Sequence, residues 1–315
     1  MNSKIITPNQ SVRKVFGKTI FELAKTNPNL YVVSMDLMSS LSLQEFVNTY
    51  PDRFIECGIA ENNAAAVAAG LAKAGKTVFL CSFACFSPAL NWAVVRQSIC
   101  YNNLDVKIVG SHAGLGTADL GATHQMLEDI AIMSTLPNME VFVPIDAVET
   151  EKITVAISNS HRPAYLRLFR PDTPTISDPK TDFKIGTSQV LKTGKDITVI
   201  GYGPILTQVF EAQEKLPHIS LEIINCSSLK PLDSQTILKS VKKTGRLISI
   251  EDHQKNGGLG QVVADLILSS SLSPKFINLS VNNQFGQSAR DCTQLYDFYG
   301  IGTKALINVA QKICK

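Results

Sequence analysis

The sequence predicts an α/β protein of two three-layer domains, each built on a mostly parallel sheet. Short β-branched runs alternate with longer helical patterns along the chain, and this alternation is typical of parallel sheets covered by helices on both faces. The 315 residues are enough for two such domains. Hydrophobic residues make up 44% and charged residues 18%, a balance that favours a well-buried globular enzyme over a disordered chain.

The first half contains five predicted strands, at residues 30–35, 77–83, 106–111, 139–143 and 164–168. Helical patterns occupy residues 12–25, 61–74, 87–101, 126–135 and 147–158. In the second half we expect strands at 197–200, 221–224, 247–250 and 276–281, and helices at 204–215, 260–269 and 304–314. Ligands of such sheets bind at the carboxyl ends of the strands, where the following loops gather.

A change of composition divides the chain. The stretch RPDTPTISDPKTDF, residues 170–183, is rich in proline and aspartate and poor in large apolar side chains, which is typical of a linker. We therefore predict a first domain at residues 1–175, a linker at 176–188 and a second domain at 189–315.

Charge and cysteine usage exclude several classes of protein. The net charge of +3 is small and the basic residues form no stripe, so neither nucleic acid nor an acidic membrane is an expected partner. The seven cysteines are scattered without a Cys-x-x-Cys pair, which argues against a disulfide framework and a structural zinc site.

The chain starts without a signal-peptide pattern, and no stretch is long and apolar enough to span a bilayer. We expect a cytoplasmic protein without membrane association.

The first candidate site is the strand–loop–helix run FIECGIAENNAAAVAAGLAKAG, in which Glu61 falls at the start of a helix. One interpretation is a first-turn glutamate favoured by the helix dipole. The other notes that small alanines on the helix surface let a second chain approach closely. Glu61 would then be a partly buried carboxylate at a subunit interface, with a tunable protonation state.

The second candidate site is VKIVGSHAGLGTADLGATHQ, where a strand ends before His112, a glycine-rich loop and His124. The two histidines are either solvated groups of a long loop or ligands for sugar oxygens and phosphate. Phe83 and Phe86 follow the preceding strand, and they serve either the core or the stacking of a flat heterocycle. Arg170 ends the strand of AYLRLF, where a guanidinium could grip a phosphate, although a surface arginine is the default.

In their order and spacing these segments resemble the pyrimidine-binding domain of the transketolase family. The matching pieces are GIAEN, the Phe-x-x-Phe segment, HAGLG…GATHQ, LEDIA…PNM and the strand that ends in arginine. IEDHQKNGGLGQVVADL resembles the C-terminal domain of the same family. The resemblance covers essentially the whole chain. It implies a thiamine diphosphate-dependent transferase that moves a two-carbon ketol unit from a ketose phosphate to an aldose.

The resemblance also implies roles for individual residues. Glu61 corresponds to the catalytic glutamate that hydrogen-bonds the aminopyrimidine ring of thiamine diphosphate, and His124 to a catalytic histidine near the reacting hydroxyls. The remaining cofactor-binding residues would be Phe83 and Phe86, as walls of the pyrimidine pocket, and Asp36, near the cofactor and the dimer interface. The remaining substrate-binding residues would be Arg13, Ser40, His112, Asp119 and Arg170.

One family motif is missing. The diphosphate-binding domain of the family carries Gly-Asp-Gly followed by an asparagine, which holds Mg²⁺, and this sequence contains no Gly-Asp-Gly. The resemblance therefore implies a separate N-terminal subunit that anchors most of the thiamine diphosphate and the Mg²⁺, in an assembly of two copies of each chain. We expect no metal ligand from this chain.

Two positions depart from the family pattern. The family commonly has Glu-Asp-Gly before the THQ motif, where this chain has Asp119, Leu120 and Gly121. The aspartate that recognises a substrate hydroxyl thus aligns with Leu120, and loss of a charged hydrogen bond costs about 1.5–3 kcal/mol, or roughly 10- to 150-fold. The second departure is Ala89, where a further aromatic residue often lines the pocket. Non-standard substrates are therefore expected.

Three alternatives share the fold. The β subunit of a 2-oxo acid dehydrogenase also has the glutamate, but His112, His124 and Arg170 favour a sugar phosphate. A deoxyxylulose-phosphate synthase would have an arginine at the position of His112. A non-catalytic subunit could keep the fold, but the retained polar residues argue against decay.

Overall fold

The computed structural model describes residues 6–315. The strands are β1 (Ile6–Gln10), β2 (Leu30–Ser34), β3 (Phe54–Glu56), β4 (Thr77–Phe83), β5 (Val106–Ser111), β6 (Glu140–Phe142), β7 (Ala164–Arg167), β8 (Thr173–Thr175), β9 (Gln189–Lys192), β10 (Ile197–Gly201), β11 (Leu221–Asn225), β12 (Ser228–Lys230), β13 (Arg246–Gln254) and β14 (Lys275–Val281). The helices are α1 (Val12–Thr26), α2 (Gln44–Thr49), α3 (Glu61–Lys73), α4 (Trp92–Val94), α5 (Asp129–Ser134), α6 (Ala147–Ser158), α7 (Leu206–Glu214), α8 (Ser234–Thr244), α9 (Leu259–Leu268), α10 (Cys292–Phe298) and α11 (Thr303–Cys314).

The first sheet has seven strands in the order β12-β6-β7-β5-β4-β2-β3. All neighbours pair in parallel except β12, which is antiparallel to β6. Apolar side chains of α1, α2 and α6 pack on one face. Those of α3 and α5, with the π-helix Val95–Cys100, pack on the other. Since both faces are buried, the central strands are mostly apolar, as expected for a parallel sheet. The charged side chains of Lys107 and Arg167 are buried among them.

The second sheet has five strands in the order β14-β13-β10-β11-β9, parallel except for the edge strand β9. Helices α7, α10 and α11 contribute to the core on one face, and α8 and α9 to the core on the other. A separate antiparallel pair joins β1 to β8. None of the helices in the described part of the chain is long and apolar enough to cross a membrane.

The predicted fold class is confirmed, and strands β4 and β5 have the predicted bounds. The single helix expected at residues 87–101 is wrong, because only α4 and the π-helix form there. The Asn91 amide donates to Ser87 Oγ and to the Glu61 carbonyl at the start of α3. These hydrogen bonds hold the non-helical residues just before α4 in place. Because β12 joins the first sheet, that sheet includes residues beyond 175. The division at 175 and 188 stays a prediction.

Candidate active site

The candidate residues gather at one edge of the seven-stranded sheet. Phe83 ends β4, His112 follows β5 and Arg170 follows β7, and these three strands are neighbours. Phe83 pairs with Ser111 in the parallel register of β4 and β5. Asp36 and Glu61 follow β2 and β3, which continue the same parallel sheet. Parallel strands present all their carboxyl ends on one side, and the site lies there because of that geometry.

Four aromatic rings form a continuous group at this edge. Phe83 and Phe86 are stacked, with ring centroids 6.0 Å apart and planes 16° from parallel. The His112 ring lies 3.8 Å from Phe83, and the His124 ring meets Phe86 edge-on at 5.6 Å. The sequence left open whether Phe83 and Phe86 belong to the core. Both are half-buried and both contact a site histidine, which suits the wall of a pocket for a flat ring.

Each histidine is oriented by a neighbouring hydroxyl. Ser111 Oγ lies 3.0 Å from His112 Nδ1, and Thr123 Oγ1 lies 2.9 Å from His124 Nδ1. His112 is buried and His124 is half-buried. With one ring nitrogen engaged, each imidazole keeps the other for a ligand.

The cationic residues form a second group beside the rings. Arg13, in the first turn of α1, donates from Nη1 to the Ser40 carbonyl at 2.7 Å and from Nε to the Arg170 carbonyl at 3.2 Å. Arg170 Nη1 forms an ion pair with Asp119 Oδ1. The structure thus brings these four residues together, although it engages the backbone of Ser40 and not the side chain.

The two groups interact electrostatically at His112. Burial, and then the positive charges of Arg13 and Arg170, lower the pKa of this histidine to about 3, although the carboxylate of Asp119 acts in the opposite direction. His112 is therefore neutral near pH 7. Burial and the Arg170 charge also lower the pKa of Arg13. An anion placed here would meet the two guanidinium groups as its positive charge and the imidazole as a neutral hydrogen-bonding group.

Glu61 begins α3 with a half-exposed side chain. Its carbonyl accepts from the Asn91 amide at 3.1 Å, which joins the start of α3 to the segment that follows Phe86. Burial and then the Glu61 charge raise the pKa of Cys85, between the two phenylalanines, to about 11. Asp36 is exposed at the end of β2, and its N–H donates to Glu56 Oε1 at 2.8 Å. Ala89, the second departure from the family pattern, packs against the small cluster of Ala84, Ala113 and Met126.

A buried ionic cluster behind the site was not among the predicted site residues. Arg167 donates from Nε to Asp129 Oδ2 and from Nη1 to Asp252 Oδ1, both at 2.8 Å. Tyr165 also donates to Asp129 Oδ2, at 2.7 Å. The sequence carried a signal, because a charged residue inside an apolar strand run such as AYLRLF is tolerated only when it is paired. The sequence did not reveal the partners, which lie 38 and 85 residues away.

Comparison with known proteins identifies the family of the chain. Residues 9–175 match the model of the transketolase pyrimidine binding domain, and residues 186–306 match that of the transketolase C-terminal domain. A putative transketolase C-terminal section of Methanocaldococcus jannaschii is 37% identical over 94% of both chains. One subunit of the apulose-4-phosphate transketolase of Phocaeicola vulgatus is 32% identical over 96% of this chain and 97% of that protein.

Among solved structures, a split-gene transketolase described as an inactive β4 tetramer superposes with a TM-score of 0.88. Its identity is 34%, over 98% of this chain and 99% of that one. Two matched domain models and relatives of nearly the same length therefore show that the chain belongs to the transketolase family, as a transferase subunit made of the pyrimidine-binding and C-terminal domains.

Proposed function

We propose that the chain is the small subunit of a split transketolase, moving a two-carbon ketol unit from a ketose or ketose phosphate to an aldose. The observation that carries this proposal is the gathering of Glu61, the four aromatic rings and the two arginines at one sheet edge. The near-complete overlap with a chain named as one subunit of a transketolase supports a separate subunit here. The tetramer formed by the similar β chain is described as inactive, which supports a need for a partner.

The residues present suit the pyrimidine half of thiamine diphosphate. The faces of Phe83 and Phe86 fit a flat ring, and we assign the hydrogen bond to that ring to the Glu61 carboxylate at the head of α3. When bound, thiamine diphosphate supplies the stabilisation of the carbanion. In residues 6–315 no group of three or more His, Cys, Asp or Glu side chains is arranged to hold a metal ion. We assign the diphosphate and Mg²⁺ to an N-terminal partner subunit in an α2β2 assembly.

The surface near Glu61 supports that assembly. Ile59, two residues before α3, is 81% exposed, and Leu90, beyond the aromatic segment, is 61% exposed. Large apolar side chains beside a half-exposed carboxylate are typical of a surface that another chain covers. Covering it would exclude water from the carboxylate that we propose exchanges a proton with the aminopyrimidine.

We assign the sugar chain to the space between the rings and the arginines. His124, half-buried and oriented by Thr123, is suited to hydrogen-bond or exchange a proton with a reacting hydroxyl. Arg13 and Arg170 would bind a terminal phosphate, and neutral His112 would complete its hydrogen bonds. Asp36 stays a proposed cofactor-side residue. We also propose a cytoplasmic enzyme, since all seven cysteines are unpaired.

The decisive experiment is native mass spectrometry of the tagged chain purified from its own cells with thiamine diphosphate and Mg²⁺. We expect a complex of two copies of this chain with two copies of a larger chain, retaining the cofactor. The complex should then transfer a ketol unit from a ketose phosphate and should leave pyruvate unreacted. A homo-oligomer without cofactor from those cells would contradict the proposal.

A further inference from the structure

The loop between the two site histidines is held from the second half of the chain. Leu115 N–H, three residues after His112, donates to Asp252 Oδ2 at 3.2 Å. Ala289 N–H donates to the Ala118 carbonyl at 2.8 Å. Asp252 lies on β13 of the five-stranded sheet, so a residue of one sheet fixes a loop at the carboxyl edge of the other.

The Asp252 carboxylate is itself rigidly placed. Its Oδ1 accepts from Arg167 Nη1, and Arg167 Nη2 donates to the Asp252 carbonyl at 3.2 Å. Asp252 and Arg167 are each 4% exposed, so neither exchanges its partner for water. Gly114 has φ +65°, and a Cβ on it would overlap Asp252 Oδ2. The glycine therefore allows the close approach between loop and carboxylate.

The loop needs such a restraint because His112 is in an unfavourable conformation. Its φ is +57°, in the left-handed region, which costs a non-glycine residue about 1–2 kcal/mol. Such a residue persists only when its surroundings over-determine it. The contact with Phe83 restrains the ring, and the Leu115–Asp252 hydrogen bond restrains the chain that follows.

We propose that Asp252 is a positioning residue for the transketolase site, holding the loop of His112 in its strained, buried conformation through the Leu115 N–H. This inference rests on the proposed function, because it assigns His112 to substrate binding. It gives the C-terminal domain a direct part in shaping the site on the pyrimidine-binding domain.

Asp252→Asn is the informative variant. The carboxylate uses one oxygen for Arg167 and the other for Leu115 N–H, whereas an asparagine offers one oxygen and a donor NH₂. One of the two hydrogen bonds must be lost. The matched control is Glu251→Gln, which alters the neighbouring buried carboxylate. Glu251 accepts from the backbone N–H groups of Leu259 and Gly260 at the start of α9.

The readout is the NMR titration of the His112 ring in the full-length chain, with the signal assigned by its loss in His112→Gln. Arg13, Arg170, Asp119 and His124 are the charged and titratable groups that act on it. The loss of the negative charge of Asp252 would by itself lower the pKa of His112. Release of the loop into water would raise that pKa, so the two effects can be told apart by their sign.

We expect the pKa of His112 to rise by more than about one unit in Asp252→Asn and to stay unchanged in Glu251→Gln. A folded Asp252→Asn chain that loses the Leu115 hydrogen bond, as the amide signal of Leu115 shows, and yet has an unshifted His112 would overturn the proposal.

If that variant does not fold, or keeps the Leu115 hydrogen bond, Gly114→Ala is compared with Gly245→Ala. Both glycines have φ +65°, but only at Gly114 would the new Cβ meet Asp252, whereas Gly245 faces open space. A rise confined to Gly114→Ala supports the proposal, and equal behaviour contradicts it. Neither titration requires the cofactor. A negative result would therefore overturn the role of Asp252 and leave the transferase assignment intact.

Discussion

Arg170 and Asp119 form an ion pair at the edge of the candidate site, and this pair occupies one of the two guanidinium groups that we propose bind a substrate phosphate. The side chains are 36% and 51% exposed, so water competes with the contact. Exposed pairs of this kind contribute about 0–1 kcal/mol. A phosphate bound by Arg170 as proposed would therefore displace the carboxylate at small cost, and Asp119 would discriminate weakly against anionic substrates.

Removing that competition should strengthen phosphate binding. In the reconstituted enzyme we expect Asp119→Asn to lower KM for a phosphorylated ketose by about two- to five-fold. The KM for the unphosphorylated sugar should not change, and Arg170→Leu should raise KM for the phosphorylated one. Steady-state kinetics with both sugars measures this, with the exposed Asp52→Asn as control. An equal change for both sugars would contradict a phosphate role for Arg170.

Glu61→Gln should lower turnover of the reconstituted complex by about 10²–10⁴, the usual scale for a lost acid–base group. The amide keeps the shape of the side chain but cannot exchange a proton with the pyrimidine. Glu45→Gln is the matched control, because Glu45 is also a first-turn glutamate, exposed on α2. It loses the same helix-dipole interaction without touching the site. Turnover of Glu61→Gln near that of the wild type would remove Glu61 from the mechanism.

The strand edges of the site could be predicted from sequence because both faces of the first sheet are buried. Strands β4 and β5 appear as predominantly apolar, β-branched runs, and the loops after them necessarily meet because the two strands are parallel neighbours. The antiparallel strand β12 was missed, since a three-residue strand has too few positions to show a period. Helix α8 was missed although its Asp233 N-cap and its left-handed Gly245 are standard boundary signals.

The contacts that organise the site were harder to foresee. His112, His124, Phe83 and Arg170 lie at strand ends or in the loops that follow, so topology alone brings them together. The bond between Leu115 and Asp252 joins residues 137 positions apart. Its geometry depends on how the two sheets pack, which no local pattern encodes. The same holds for the ion pair of Arg170 with Asp119, because the direction of a loop side chain is set by its tertiary contacts.

Glu149, buried on α6, should make stability depend on pH. Burial raises the pKa of its carboxyl from 4.5 to about 7, against the hydrogen bonds from Ile145 and Asn225. The folded state therefore binds the proton more tightly than the unfolded state. The resulting stabilisation is fully present below pH 4.5 and is lost as the pH rises to about 7, by about 1–3 kcal/mol.

Replacing this group by a neutral one should flatten that dependence. We expect Glu149→Gln to gain unfolding free energy relative to the wild type as the pH rises from 5 to 8, whatever its offset at pH 5. Urea unfolding at pH 5, 6, 7 and 8 measures the difference. Glu151→Gln, an exposed position on the same helix, should follow the wild type at every pH. Parallel curves for Glu149→Gln and the wild type would show that Glu149 stays ionised in the folded chain.

Leu120 should set the preference for the substrate hydroxyl. Its side chain is 39% exposed in the loop between the two site histidines, next to the ion-paired Asp119. An apolar group at this position offers no hydrogen bond to a hydroxyl. In the reconstituted enzyme, Leu120→Asp should therefore shift the ratio of kcat/KM for hydroxylated over deoxygenated substrates by about 10- to 150-fold, corresponding to a charged hydrogen bond of about 1.5–3 kcal/mol.

The comparison requires matched pairs of sugars that differ at a single hydroxyl, assayed as both donor and acceptor. Leu268→Asp, which places the same charge on an 84% exposed leucine at the end of α9, is the control and should leave all ratios unchanged. A change in the ratio for one hydroxyl alone would identify the carbon that faces Leu120, since a carboxylate recognises only the group within hydrogen-bond reach. If no ratio moves, Leu120 does not face the sugar.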